Sequence, residues 1–156
     1  MLDGDGTYSS DDAEQMLAPL AIGYDHVIGN RLIGENTGSF SRLNFMGNML
    51  LNRLFRLAHG RYLSDILSGY RAFTRSSIQQ MRLSETGFGI ETEITVEAVR
   101  NNQKIAIVPV KYAIRPGSAT KLHPFHDGLK IASTIYRLAK TNNPLFYFGL
   151  IGILLM

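Results

Sequence analysis

The sequence has no cysteine, which excludes disulfides and thiolate metal sites and fits a reducing compartment without requiring one. Its four histidines make no convincing ligand set. Only His123 and His126 stand close together, and Asp127 is the one acid beside them. No apolar run is long enough to span a bilayer. The chain closes on Leu145 to Met156, twelve residues without a charge, where a spanning helix needs roughly 20. That ending reads as the start of a span or as a buried terminal helix. A cleavable signal pattern, internal repeats, low-complexity tracts, a P-loop, a dinucleotide fingerprint and a Ser/His/Asp arrangement are all missing.

What remains is a chain of 156 residues, 45% apolar and 19% charged, the composition of one globular domain. A net charge of +3 leans towards anionic partners. The chain is organised around its opening, Met1-Leu2-Asp3-Gly4-Asp5-Gly6-Thr7-Tyr8, read as the end of a strand. Side chains at i and i+2 of an extended segment point the same way, so Asp3 and Asp5 can converge on one point. Two hard oxygen ligands with open positions suit Mg2+ or Mn2+ carrying phosphate oxygens. The same residues also read as an Asp/Gly turn that caps the next helix.

Strands and helices alternate along the rest, the pattern of an α/β protein. Helices are expected over 10–21, 41–59, 76–82, 90–101 and 127–141, and strands over 24–30, 70–74 and 104–114. In the helix over 41–59, Leu43, Met46, Leu50, Leu54 and Leu57 recur at helical spacing, with Gly60 as the stop. Pro109 pushes the last strand towards a sheet edge or a bulge. In the helix over 127–141, Lys130, Arg137 and Lys140 fall within about 80° of one another. Ile131, Ala132, Ile135, Leu138 and Ala139 lie opposite, so the helix reads as interfacial on an anionic membrane.

Polar groups cluster in four loop stretches: Asp3/Asp5, Arg31/Arg42, Asp65/Ser68/Arg71 and Arg115/Ser118/Thr120/Lys121. Acids that bind a metal and cations that hold oxyanions together point to a phosphate-rich substrate held from both sides. Each also has a plain reading as solvated surface charge. Glu91 and Glu93 suit the dipole at a helix start, with a catalytic role as the lesser alternative.

In order, DGDGTY, VIGNR, SDILSGYRAF and VPVKYAIRPGSATKL resemble family 2 glycosyltransferases, in particular those like dolichol-phosphate mannosyltransferase and related polyprenyl-phosphate glycosyltransferases. The likeness covers roughly residues 1–141. It implies the C-terminal half of a GT-A catalytic domain with a mixed sheet over 1–126. An amphipathic juxtamembrane helix over 127–142 and the beginning of a membrane span over 143–156 would follow. By the resemblance, Asp3 and Asp5 hold Mg2+ or Mn2+ on the nucleotide-sugar diphosphate. Arg31 lies near the lipid phosphate, with Arg42 as a looser companion. Asp65, Ser68 and Arg71 line the reaction centre, where Asp65 is a weak base candidate or orients the sugar or an arginine. Arg115, Ser118 and Lys121 belong to the segment closing over the phosphates, in which Thr120 replaces a common Ser.

The implied reaction is inverting transfer of a sugar from a nucleotide-diphosphate sugar to polyprenyl or dolichyl phosphate, at a membrane, with the catalytic part on the cytoplasmic face and no nucleic-acid partner. DGDGTY favours a UDP-sugar over GDP-mannose. The family's first half, which grips the nucleoside, has no counterpart here, so the sequence reads as a fragment cut at both ends that folds poorly alone. Two rivals remain. Haloacid-dehalogenase-like phosphatases also open on D-x-D-G-T, with Asp3 as nucleophile and Asp5 as acid/base, but the downstream acidic pair they need is not found. A non-catalytic membrane-surface module is the other.

Overall fold

The computed structural model describes residues 1–33, 41–85, 87–113 and 124–155. The expected segment 104–114 is strand only over Ile105–Pro109 (β3), which pairs in parallel with His26–Asn30 (β1), while Arg71–Phe73 (β2) pairs with β1 antiparallel. The sheet order is β2-β1-β3, so the strand ending in Pro109 does lie at an edge among the described residues. Every residue of β1 is buried. Val27 and Ile28 are adjacent and completely buried, yet belong to two separate core clusters. Strand neighbours point to opposite faces, so the central strand is covered on both sides.

On one face, Val27 packs with Tyr8, Met16, Tyr70, Ala72 and Val110, Met16 coming from Ala13–Ala21 (α1). On the other, Ile28 meets side chains of Arg42–His59 (α2), Ile90–Arg100 (α4) and Pro124–Asn142 (α5), among them Phe55, Val96, Ile131 and Ile135. A short helix, Arg75–Gln80 (α3), follows β2, and Pro144–Leu154 (α6) follows α5. This α/β arrangement with a mixed sheet is the class expected. β1 also has a tight spot that its sequence explains. A Cβ on Gly29 would lie 2.9 Å from a Val110 methyl and 3.2 Å from Tyr70 Cβ, so the glycine lets neighbouring chain pack closely.

Three features differ from the sequence-based expectations or add to them. Residues 3–6 form a turn rather than a strand end. Met1 exchanges two backbone hydrogen bonds with Arg71 at 2.8 and 3.0 Å, Gly6 turns the chain at φ +75°, and Tyr8 then forms an antiparallel bridge with Tyr112.

The second concerns α2. It begins and ends as expected, with the Ser41 hydroxyl accepting from the Asn44 N–H and Gly60 left-handed at φ 75°. Its buried face, however, is Asn48, Leu51, Asn52, Phe55, Ala58 and His59. Leu43, Met46, Leu50 and Leu57 are each about two-thirds exposed (67, 68, 67 and 66%), and only Leu54 packs against the core. The leucine stripe is real but points outward.

The third is α5. Ile131, Ile135 and Ala139 are buried in the core and Ala132 and Leu138 pack against it, so its apolar side is occupied and not open to a membrane. Its basic side is exposed, with Arg137 paired to Glu85. The apolar ending forms α6, capped by the Asn143 side chain on the Phe146 N–H and held to α5 where the Tyr136 hydroxyl donates to the Tyr147 carbonyl at 3.0 Å. Among the described residues, no helix is long and apolar enough to cross a membrane.

Candidate active site

The loop between α2 and β2 is the hub. Asp65 is completely buried and accepts from Arg31 Nε at 2.7 Å, Arg31 Nη2 at 2.8 Å, the Arg31 backbone N–H at 3.1 Å and Asn48 Nδ2 at 3.3 Å. Burial alone would raise the Asp65 pKa. The Arg31 guanidinium and these hydrogen bonds outweigh it and hold the carboxyl below its ordinary value. For Arg31, burial pulls the pKa down but the Asp65 charge wins and raises it. Both groups are therefore charged across the physiological range. The guanidinium also lies over the Tyr112 ring, 5.2 Å from its centroid.

Two asparagines on α2 carry this loop. Asn52 Nδ2 donates to Asn48 Oδ1 at 2.7 Å, and Asn52 Oδ1 accepts from the Ile66 N–H at 3.1 Å. Arg71 supports it from the other end. Its Nε donates to the Ser68 carbonyl at 2.8 Å, Nη2 to the Ile66 carbonyl at 2.7 Å and Nη1 to the Thr95 hydroxyl at 2.9 Å. Burial lowers the Arg71 pKa to about 10, which leaves it charged at neutral pH.

Ser68 is completely buried as well, its hydroxyl accepting from the Tyr70 N–H at 3.3 Å and lying 3.4 Å from the Tyr8 hydroxyl. Ser68 and Arg71, expected at the substrate, thus lie beneath the site and shape the loop. Asp65, expected as a weak base candidate or as a group that orients the sugar or an arginine, has its oxygens engaged by Arg31 and Asn48.

The acidic opening reaches the same loop. The Asp3 carboxylate lies so close over Gly69 that a Cβ there would fall 2.2 Å from Asp3 Oδ2. The Tyr8 hydroxyl accepts from the Gly69 N–H at 3.0 Å, and the Tyr8 ring meets Tyr112 edge-on at 5.1 Å. Asp5 Oδ1 accepts from the Thr7 N–H at 3.1 Å and the Thr7 hydroxyl at 2.6 Å, so this acid also shapes its own turn. An open cleft of about 330 Å³ is lined by Gly6–Ser9 and Lys111–Ala113, two segments joined where the Ala113 N–H donates to the Thr7 carbonyl at 2.8 Å.

Among the described residues there is no group of three or more His, Asp or Glu side chains fit to hold a metal. Two carboxylates beside an open cleft suit a cation that takes the rest of its shell from substrate phosphates, as Mg2+ does. Arg42 is exposed at the start of α2, about 9 Å along the axis from Asn48 at 1.5 Å per residue. Arg115, Ser118 and Lys121 lie outside the described residues.

Sequence reasoning missed Asn48 and Asn52. Their i, i+4 spacing on the face opposite the leucines was the available signal.

A turn bearing two acids is thus set against a buried arginine–aspartate pair at the end of a central strand, in an α/β domain. No protein-family model matches the chain. It is 55% identical over 153 residues to glycosyltransferase AglJ of Haloferax volcanii, a match covering 97% of this chain and 50% of that protein. It is also 32% identical over 136 residues to a dolichyl-phosphate hexose transferase of the same organism, covering 87% of this chain and 58% of the relative. With the polyprenol monophosphomannose synthase of Mycolicibacterium smegmatis it shares 23% identity over 143 residues, or 89% and 52%. The chain spans about half the length of these relatives. It belongs to the dolichol-phosphate mannosyltransferase-like glycosyltransferases, as its motifs implied.

Proposed function

We propose that the protein transfers a hexose from a nucleotide-diphosphate sugar to dolichyl or polyprenyl phosphate, with inversion, on a GT-A type domain. The observation that carries this reading is the meeting of separated motifs. Asp3 lies over Gly69, in the loop whose Asp65 holds Arg31 with paired hydrogen bonds. The names of the relatives support the acceptor, and the DGDGTY opening favours a UDP-sugar as donor.

The acceptor phosphate explains why no free base is needed. A phosphate monoester is largely dianionic near pH 7, because its second pKa is about 6. It needs orientation and charge screening more than deprotonation. Arg31, held by Asp65, orients that phosphate and Arg42 supplies positive charge to it, while Arg115 and Lys121 supply positive charge to the donor. Asp3 and Asp5 would hold Mg2+ or Mn2+, which when bound stabilises the leaving diphosphate.

The membrane reading rests on α2 rather than on α5. At 100° per residue, Leu43, Met46, Leu50 and Leu57 fall within about 60° of one another, and Arg42, Arg53 and Arg56 flank them on one side within about 120° of the stripe. An exposed apolar stripe bordered by cations suits an anionic lipid surface, at which a polyprenyl phosphate would be met; the cytoplasmic face is the side proposed for the catalytic part.

The deciding experiment is D5N in the full chain, assayed with radiolabelled UDP-glucose, UDP-GlcNAc or GDP-mannose and dolichyl phosphate in membranes. Loss of glycolipid synthesis is expected. Unchanged synthesis would end the role given to the acidic pair.

A further inference from the structure

Gly69 meets the first acid of the opening turn, and the backbone sets up that meeting. Met1 and Arg71 exchange both backbone hydrogen bonds, the pattern of directly opposed residues on antiparallel chains. Two residues on along one chain and two back along the other, Asp3 and Gly69 come opposite each other. Such a pair ordinarily brings two Cβ atoms within about 4.5–5.5 Å. Here one of the two is missing, and the Asp3 carboxylate occupies its place. A Cβ on Gly69 would overlap Asp3 Oδ2 and lie 2.6 Å from both Cγ and Oδ1.

The backbone itself does not call for glycine at this position. The left-handed glycines are Gly6, Gly23, Gly60 and Gly87 among the described residues, and Gly69 is not one of them, so its conformation suits an L residue. Its N–H donates to the Tyr8 hydroxyl at 3.0 Å, a bond that alanine would keep. The three atoms nearest to the missing Cβ all belong to one carboxylate.

Two buried glycines of this fold therefore answer an added methyl differently. At Gly29 it would press on a Val110 methyl at 2.9 Å and on Tyr70 Cβ at 3.2 Å, and both residues are packed in the core. At Gly69 it would press on the end of a side chain that is exposed and can rotate into water. The first substitution strains the packing. The second moves a carboxylate.

Resting on the reading of Asp3 and Asp5 as the pair that would hold Mg2+ or Mn2+, we propose that Gly69 is a positioning residue for that pair. By leaving out its side chain it gives the Asp3 carboxylate its seat, and it acts on the metal only through Asp3. The glycine of SGYR and the first acid of DGDG are then one device, held in register by the Met1–Arg71 pair and by the Tyr8 hydroxyl.

The test is G69A in the purified full chain, with D3A and D3A/G69A beside it. Free Mn2+ is counted by electron paramagnetic resonance during a titration in the presence of UDP, or of GDP if wild type uses GDP-mannose. G69A should raise the Mn2+ dissociation constant about 10- to 100-fold, the range for groups that orient a metal ligand. Its transfer to dolichyl phosphate should fall by a similar factor at low Mn2+, with the acceptor KM unchanged. Its urea midpoint should stay at the wild-type value, while that of G29A falls. On the D3A background the new methyl meets no carboxylate, so G69A should add nothing to the loss that D3A causes.

The inference is overturned if G69A binds Mn2+ as wild type does, or if it weakens D3A as much as it weakens wild type. It is overturned as well if the loss of affinity comes with a fall in urea midpoint like that of G29A, since the methyl would then be disturbing the loop itself. A D3A variant with wild-type Mn2+ affinity and wild-type transfer would instead overturn the metal reading of the acidic pair, and this inference with it.

Discussion

Replacing Asp65 with Asn tests the centre of the site. The carboxylate is completely buried and accepts four hydrogen bonds, three of them from Arg31. An Asn side chain keeps one oxygen and turns an NH2 group towards donors at the other position, so two of the four bonds are lost together with the charge. Two hydrogen bonds to a charged partner are worth about 3–6 kcal/mol at about 1.5–3 kcal/mol each. Breaking a buried pair from one side costs about 3–5 kcal/mol. The expected destabilisation is thus about 4 kcal/mol, roughly a thousandfold in the folding equilibrium at about 1.4 kcal/mol per decade.

The assay is urea unfolding of the full chain followed by far-UV circular dichroism. The control is the double variant R31M/D65L, which removes both charges and fills the space with apolar atoms. That exchange is expected to lie within about 1 kcal/mol of wild type while abolishing transfer. A D65N loss below about 1 kcal/mol would refute the reasoning, since it would mean that water already screens the pair. A double variant as unstable as D65N would refute it too, because packing and not charge would then hold the loop.

Three further outcomes are expected. G29A should destabilise by about 1–3 kcal/mol through overpacking, because its new methyl meets Val110 and Tyr70; an unchanged urea midpoint would contradict this. Stability should fall as pH drops below about 6.5: burial and then Arg71 lower the His26 pKa, and burial lowers that of His59 too, so the unfolded chain binds the extra protons. A further fall is expected in more acidic solution, as Asp65, held below its ordinary value of 3.8, is finally protonated, and H26Q should flatten only the upper part of the profile. Finally, a fluorophore on L50C should be quenched by brominated lipid and not by an aqueous quencher, with the chain's lack of other cysteines making the label unique. Two-thirds exposed leucines stand to gain about 1–2 kcal/mol each on entering lipid, and quenching from water alone would reject that face as a membrane surface.

Local signals carried the element pattern well. The hydroxyl of Ser41 and the left-handed Gly60 bound α2 where capping chemistry says they should, and Pro109 closes an edge strand. What periodicity could not supply was direction. In α2 two faces compete, and the more apolar one faces out. The other carries Asn48, Asn52 and His59 among its buried residues, polar groups that lower its hydrophobic signal but are satisfied by Asp65, Ile66 and the Ile135 carbonyl. Those partners are 14 to 76 residues away in sequence, beyond any local window. Arg71 was misplaced for a similar reason. A charged residue in a polar motif reads as substrate-facing, whereas here it satisfies the carbonyls of a tight loop.

The arginine–aspartate pair also constrains how the site can handle charge. A guanidinium whose side chain is 10% exposed would be costly to bury alone, and Asp65 removes most of that cost. The pair is then neutral as a unit, so Arg31 brings orientation to a dianionic phosphate but little net charge. The screening such an acceptor needs has to come from cations outside the pair. Arg42 on α2 is exposed and borders the same stripe that would meet lipid. On this reading α2 joins the two requirements: one face holds Asp65 through Asn48, while the opposite face and its arginines meet the surface from which the acceptor arrives. An enzyme that takes its acceptor from a membrane gains by building both functions into one rigid helix, because the distance between them is then fixed by the helix itself.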